Sequence, residues 1–245
     1  MDKILVALDV DSREQALTLA DALRGFVGGF KIGSQLFSAE GPSMVRALTD
    51  KGDRVFLDLK YHDIPNTVAN AVAAVTGLGV WMVNVHAGGG TTMMRAAKTA
   101  AEETAARRSL HAPLVIGVTV LTSMNQASLR ETGVVIDLMD QVLRLAELAK
   151  EAGLDGVVAS PRETAVIRSR CGAGFAIVTP GIRGGAAAAD KNDQERTMSP
   201  AEAIAAGSTY LVIGRPIIAA PDPVEAARQI AAALSIPNAQ RPIPN

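Results

Sequence analysis

The chain has 245 residues, of which 48% are hydrophobic, and its formal net charge is −1. A nearly neutral chain with only 3% aromatic residues is not typical of a protein that binds nucleic acid or a membrane surface. The single Cys171 excludes an internal disulfide and a multi-cysteine metal site, and it fits a reducing compartment. Because the chain has no run of about 18 apolar residues and its start, MDKILVALDV, is too short and too acidic for a signal peptide, we expect a cytoplasmic globular protein.

Short apolar runs, many of them rich in β-branched residues, recur along the whole chain. An unbroken apolar run is typical of a parallel strand that is covered on both faces. The stretches between the runs have helical spacing: one begins at Ser12 and ends at Gly25, and another ends at Gly153. The predicted strands are residues 4–10, 29–33, 54–60, 81–87, 114–120, 156–160, 176–180 and 210–215.

Eight strand–helix units in a chain of this length predict an α/β protein of the (β/α)₈ TIM-barrel class. The predicted strands follow one another at roughly 30 residues, which is the size of one such unit. An open doubly wound sheet is the competing fold, but VALDV is followed by DSREQA and not by a glycine-rich dinucleotide-binding turn. We predict one domain over residues 1–236 and an irregular, proline-rich tail over residues 237–245.

Polar residues are concentrated near the carboxyl ends of the predicted strands. Catalytic groups of TIM barrels lie at that end, so the distribution predicts an active site there. In chain order the residues are Asp9, Lys31, Asp58, Lys60, Asn84, His86, Thr122, Ser123, Gly214 and Arg215.

The stretch DLKYHD at the end of the third strand carries the strongest chemical signal. Side chains alternate along a strand, so Asp58 and Lys60 are predicted to share the inward face, while Asp63 lies beyond the strand. An ammonium held between carboxylates can stabilise a carbanion and donate a proton to it. The alternative interpretation is an ion pair that only completes the end of the barrel.

Two segments near the end of the chain suit a phosphate group. In LVIGRPI, Gly214 lets backbone N–H groups approach a ligand and Arg215 can bind it in a bidentate manner, at the usual phosphate site of such barrels. Residues 179–196 form a long loop that contains Arg183 and Gln194. We interpret the loop as a lid that closes on phosphate, and a solvent-exposed insertion is the alternative.

These motifs resemble the signature of the orotidine 5′-phosphate decarboxylase family. The central match is DLKYHDIPNTV, and ALDV, FKIG, VNVHA, VTVLTSM, TPGIR followed by DQ, and IGRPI occur in the order that the family has them. The resemblance covers nearly the whole chain and is closest to the bacterial branch. It implies a TIM-barrel enzyme that converts orotidine 5′-phosphate to UMP and CO₂, the last step of pyrimidine nucleotide synthesis, without a cofactor.

The resemblance also implies a homodimer whose two active sites lie at the subunit interface. Lys60 would be the proton donor within a charged array of four residues, and Asp63 and Thr67 would come from the neighbouring subunit. The implied catalytic residues are Lys31, Asp58, Lys60 and Asp63. The implied substrate contacts are Asp9 and Lys31 for the ribose, Ser123 for the pyrimidine, Arg183, Gln194, Gly214 and Arg215 for the phosphate, and Thr67, Thr122 and Pro180.

Two alternatives to this activity remain open at the level of sequence. A magnesium-dependent sugar-phosphate decarboxylase or aldolase of the same superfamily would need an acid near the end of the second strand, where FKIGSQLF offers Lys31 and no acid before Glu40. A non-catalytic barrel that binds a phosphate ligand would have lost the Lys/Asp array. No His, Cys or carboxylate cluster has the spacing of metal ligands, so we expect neither a metal nor a cofactor.

Overall fold

A computed structural model describes residues 1–182 and 198–235, and within them eight parallel strands close into a barrel in sequence order. Each strand pairs with its neighbour in the chain, and β1 also pairs with β8. The predicted TIM-barrel fold is confirmed. The strands are β1 Ile4–Ala7, β2 Gly29–Gly33, β3 Val55–Tyr61, β4 Met82–His86, β5 Leu114–Val118, β6 Gly156–Val158, β7 Ala176–Thr179 and β8 Tyr210–Ile213.

Helices connect the strands and surround the barrel. The predicted helix start at Ser12 is explained by capping, because the Ser12 side chain accepts a hydrogen bond from Gln15 N. The Asp137 side chain accepts a hydrogen bond from Met139 N in the same way, at a start that was not predicted. The helices are α1 Arg13–Leu23, α2 Ser34–Glu40, α3 Pro42–Thr49, α4 Pro65–Thr76, α5 Gly90–Arg108, α6 Gln126–Glu131, α7 Leu138–Glu151, α8 Thr164–Cys171, α9 Pro200–Ala205, α10 Arg215–Ile218 and α11 Pro223–Ser235.

The hydrophobic core has two parts, one on each face of the closed sheet. The larger part lies between strands and helices and includes Ile4 and Val6 of β1. The smaller part fills the barrel interior, and alternate residues of the strands supply it because successive side chains point to opposite faces. Its buried members are Leu5, Ala7, Phe56, Met82, Ile116, Val178 and Val212. The barrel is therefore packed below the end at which the charged residues emerge.

The predicted domain bounds, residues 1–236, stay a prediction. The predicted tail, residues 237–245, lies outside the described residues. Within the described part of the chain, no helix is long and apolar enough to cross a membrane.

Candidate active site

A cavity of about 1430 Å³ opens at the carboxyl ends of the strands. Its wall continues the inward faces of the strands, so that Asp9 follows Ala7, Asp58 follows Phe56, and Thr122 follows Val118 and Val120 at steps of two residues. The predicted site residues that line it are Asp9, Lys31, Asp58, Lys60, Thr122, Pro180, Gly214 and Arg215. Eight of the thirteen predicted residues therefore belong to one cavity.

Four charged side chains form an alternating chain along one wall of this cavity. Lys60 Nζ lies 2.7 Å from Asp58 Oδ1, and Lys31 Nζ lies 3.6 Å from Asp58 Oδ2. Lys31 Nζ also lies 3.0 Å from Asp9 Oδ1. Two ammonium groups thus face two carboxylates, which keeps the net charge of the array near zero.

The Asp58 carboxyl is held ionised by its neighbours. Burial raises the pKa of Asp58, but Lys31, Lys60 and the Asn84 side chain lower it by more, so that the pKa lies below its usual value. Asn84 Nδ2 donates to Asp58 Oδ1 at 2.7 Å. A charged Asp58 fixes the position of both ammonium groups.

The backbone at Lys60 departs from the regular strand that we predicted. Lys60 has a φ of 52°, and among the described residues only Ser109 shares a positive φ without being glycine. The register between β3 and β4 also shifts between Leu57 and Tyr61. Simple alternation was therefore the wrong reason for placing Lys60 beside Asp58, although the two side chains do meet. A left-handed conformation costs a non-glycine residue roughly 1–2 kcal/mol and is found where the surroundings impose it.

The pair Lys31–Asp9 depends on a glycine next to it. A Cβ on Gly33 would lie 2.9 Å from Lys31 Nζ and 3.3 Å from Asp9 Oδ1. The absence of a side chain at Gly33 leaves room for the two charged groups. Lys31 is only 7% exposed, so its ammonium depends on Asp9 and Asp58 for compensation.

The segments after β7 and β8 contain the residues predicted for phosphate. Pro180 and Gly181 follow β7, and Gly214 and Arg215 follow β8, and all four line the cavity. The Arg215 side chain is exposed to solvent, where it can meet an anion. Arg183 and Gln194, which we predicted for the same group, lie outside the described residues.

Three predicted residues do not line the cavity of their own chain. Ser123 is exposed after β5, one residue beyond the cavity-lining Thr122. Asp63 is exposed beyond β3, where its Oδ1 accepts a hydrogen bond from Ile64 N at 2.6 Å, and Thr67 is exposed on α4. Asp63 and Thr67 are therefore exposed outside the cavity that contains Lys60 of the same chain.

The two histidines beside the array form a pair. The rings of His62 and His86 lie 5.5 Å apart, with His62 exposed and His86 half-buried. Burial, His62 and Lys60 lower the pKa of His86, and Asp58 acts against them. His86 is accordingly a neutral imidazole at neutral pH. Over residues 1–182 and 198–235, no group of three or more His, Cys, Asp or Glu side chains is placed to hold a metal ion.

Two features of the site were not predicted from the sequence. The cavity extends along α11, where Glu225 and Gln229 line it, and helical periodicity alone did not indicate that this face borders the cavity. The second feature is the contact of Asn84 with Asp58 and Lys60. The amide of Asn84 was noticeable in the otherwise mostly apolar segment MVNVH, but the sequence alone did not indicate which groups it would contact.

A closed parallel barrel with a charged array at its carboxyl mouth is the architecture of a TIM-barrel enzyme. Residues 2–230 match the model of the orotidine 5′-phosphate decarboxylase / HUMPS family, and the chain belongs to that family. The family resemblance predicted from the motifs is thereby confirmed.

Relatives of known name agree with this membership. The chain is 55% identical over 236 residues to the orotidine 5′-phosphate decarboxylase of Moorella thermoacetica, covering 96% of this chain and 93% of the relative. It is also 55% identical over 228 residues to the enzyme of the same name from Syntrophotalea carbinolica, covering 93% of each.

A solved structure shows the same similarity. The crystal structure of the orotidine 5′-phosphate decarboxylase from Lactobacillus acidophilus has a TM-score of 0.84 and 36% identity, and the match covers 95% of this chain and 99% of that one.

Proposed function

We propose that this chain converts orotidine 5′-phosphate to UMP and CO₂, the final step of pyrimidine nucleotide synthesis, without a cofactor. The observation that carries the proposal is the Asp9–Lys31–Asp58–Lys60 array, because it places a fixed ammonium group within a cavity that also contains Arg215. The names of the relatives support the choice of substrate.

The reaction breaks the bond between C6 of the pyrimidine and its carboxylate carbon. The bonding electron pair stays on C6 as CO₂ leaves, and the Lys60 ammonium stabilises that charge and then donates its proton to C6. The resulting Lys60 amine takes up a proton from solvent before the next turnover. Asp58 holds Lys60 Nζ at 2.7 Å, so the ammonium need not reorganise as the charge develops.

The rest of the substrate is assigned to the other cavity residues. Asp9 and Lys31 would hold the ribose hydroxyls, since a carboxylate accepts and an ammonium donates hydrogen bonds. Gly214 and Arg215, with Pro180 nearby, would hold the phosphate, with Thr122 contacting the substrate between the two ends. Arg183, Gln194 and Ser123 remain predicted contacts of the phosphate and the pyrimidine. Binding energy from the phosphate can then support the chemistry at C6.

We also propose that the working unit is a homodimer with shared active sites. Asp63 is exposed outside the cavity of its own chain, and the adjacent Ile64 is 66% exposed although it is apolar. The similarity of DLKYHDIPNTV to the family signature supports an interface at this segment. Asp63 and Thr67 would complete the site of the partner. The buried free thiol of Cys171 fits the cytoplasmic location that we predicted.

The magnesium-dependent alternative is not favoured by the geometry around β2. Lys31 occupies the place where that chemistry needs a carboxylate. The first acid after β2, Glu40, accepts a hydrogen bond from Arg13 N at 3.3 Å, at the start of α1. An activity on orotidine 5′-phosphate that EDTA leaves unchanged would exclude this alternative.

The direct test is loss of absorbance in the orotate band when the purified protein is added to orotidine 5′-phosphate. We expect complete conversion to UMP, with CO₂ released in equal amount. Binding of UMP without any loss of absorbance would show a phosphate-binding barrel without this activity, and would overturn the proposal.

Replacing Arg215 with alanine is expected to weaken UMP binding more than it changes the chemical step. A charge-assisted hydrogen bond contributes about 1.5–3 kcal/mol, so the affinity should fall by about 10- to 150-fold. Calorimetric titration of UMP into the variant measures this. Arg54→Ala is the matched control, because Arg54 lies over the Trp81 ring at 5.5 Å and outside the cavity. Unchanged affinity in Arg215→Ala would contradict the phosphate assignment.

A further inference from the structure

The irregular pairing of β3 with β4 leaves a gap beside the reactive residues. Leu57 pairs with Val83 and Tyr61 pairs with Val85, so three residues of β3 face the single residue Asn84. A bulge of this kind leaves backbone groups without their usual ladder partner. The gap falls on Asp58–Lys60, the part of the strand that carries the array.

The Asn84 side chain fills this gap with two hydrogen bonds. Its Oδ1 accepts from Lys60 N at 2.8 Å, and its Nδ2 donates to Asp58 Oδ1 at 2.7 Å. The orientation of the amide follows from its partners, because a backbone N–H can only donate and a carboxylate can only accept. Asn84 itself is 0% exposed, so its side chain is fully enclosed by the protein.

Both bonds act on groups of the charged array. Lys60 holds a φ of 52°, which an ordinary strand partner would not impose. Asp58 Oδ1 accepts from Lys60 Nζ and from Asn84 Nδ2, each at 2.7 Å, which leaves Oδ2 facing Lys31. One amide thus fixes the backbone of the proton donor and the carboxylate that orients its ammonium.

We propose that Asn84 is a positioning residue for the decarboxylation, acting through Lys60 and Asp58 without touching the substrate. This inference rests on the proposed function. An amide is needed because it combines a donor and an acceptor in one flat group, whereas an alkyl side chain offers neither and a carboxylate offers only acceptors. The consequence for the reaction is a fixed distance between the Lys60 ammonium and C6.

The test is the separation of turnover from binding in Asn84→Ala. We expect kcat on orotidine 5′-phosphate to fall about 100-fold, because misplacing a catalytic group by about 1 Å costs that much. The affinity for UMP should change little, since the residues assigned to ribose and phosphate are untouched. A kcat close to that of the original chain would overturn the proposal.

Asn84→Asp is a second variant, for use if the alanine variant does not fold, because aspartate has nearly the same shape as asparagine. The new carboxylate would either repel Asp58 and add a negative charge beside Lys60, or share a proton with Asp58 and spread one negative charge over two carboxyl groups. We expect kcat to fall at least about tenfold. An unchanged kcat in this variant would also overturn the proposal.

Thr76→Val is the matched control for loss of a buried hydrogen bond. Thr76 is 1% exposed on α4, and its Oγ1 donates to Val72 O at 2.8 Å. We expect Thr76→Val to have a lower melting temperature and an unchanged kcat. If the role of Asn84 were purely structural, Asn84→Ala would show the same pattern. Absence of turnover in the original chain would count against the proposed function itself, and not against the role of Asn84.

Discussion

Replacing Lys60 with alanine is expected to lower kcat on orotidine 5′-phosphate by at least about 10⁴-fold while the barrel stays folded. A fixed donor or charge at the reacting atom contributes roughly 10²–10³ in rate, and a positioned proton donor roughly 10²–10⁴. Lys60 is assigned both tasks, so a single substitution removes both. The measurement is the rate of absorbance loss in the orotate band at saturating substrate.

We expect Lys60→Ala to fold, because neither the backbone at residue 60 nor the charge of Asp58 depends on the lysine side chain alone. Alanine keeps the Cβ of residue 60, so the left-handed backbone is no more strained than before. Asp58 keeps Lys31 at 3.6 Å and the Asn84 amide at 2.7 Å, so its carboxylate is not left without compensation. Because Lys60 helps to lower the pKa of Asp58, that pKa should move up towards its usual value.

Lys51→Ala is the control for the loss of a lysine in an ion pair. Lys51 Nζ lies 2.9 Å from Asp21 Oδ1, and both side chains are about half exposed. Exposed ion pairs contribute little to stability, so both turnover and melting temperature should stay near their original values. A Lys60→Ala variant that turned over nearly as fast as this control would refute the assignment of the proton donor.

Much of the barrel was predictable because its strands are unbroken apolar runs. The ends of the strands were less predictable, since composition does not show where the hydrogen-bond ladder stops. We predicted the first strand to continue to Val10, and β1 ends at Ala7. Leu8 N still donates to Lys31 O at 3.0 Å, and the chain then leaves the ladder at Asp9. Asp9 still lines the cavity, two residues beyond Ala7.

The candidate site was predictable where it follows the period of two residues, and not where that period breaks. The inward position of Asp58 follows from alternation with Phe56 within β3. Thr122 and Gly214 lie beyond β5 and β8, at two-residue steps from Val118 and Val212. The conformation of Lys60 does not follow from alternation, because it depends on the shifted register between β3 and β4. The role of Asn84 depends on the same shift, so no local pattern could have predicted its two partners.

Asp9 and Lys31 illustrate a contact that required the fold as well as the motif. They are 22 residues apart in the chain, and their ion pair forms because β1 and β2 are neighbours with Ala7 opposite Lys31. We expected a second acid beside Asp58 to balance the charges of Lys31 and Lys60, and the family resemblance assigned this role to Asp63. Within one chain, the second acid of the array is Asp9.

The exposed position of Asp63 leads to a second large effect, which concerns mixtures of two inactive variants. We expect Lys60→Ala and Asp63→Ala homodimers each to be nearly inactive. A mixed dimer would regain one complete site, formed by Lys60 of the Asp63→Ala chain and by Asp63 of the Lys60→Ala chain. Equal amounts of freely exchanging chains should recover about a quarter of the original activity, since half of the dimers are mixed and each has one intact site of two.

A second mixture tests whether exchange of subunits could restore activity without active sites that are shared between subunits. Lys60 and Asp58 belong to the same site of one chain, with Nζ and Oδ1 2.7 Å apart, so a mixed dimer of Lys60→Ala and Asp58→Ala lacks one of them at each site. This mixture should stay inactive at every ratio. If the chains exchange and the Lys60→Ala/Asp63→Ala mixture also stays inactive, Asp63 does not act across the interface. If only the first mixture recovers activity, Lys60 and Asp63 of one chain must serve two different active sites, although they belong to the same short stretch of sequence.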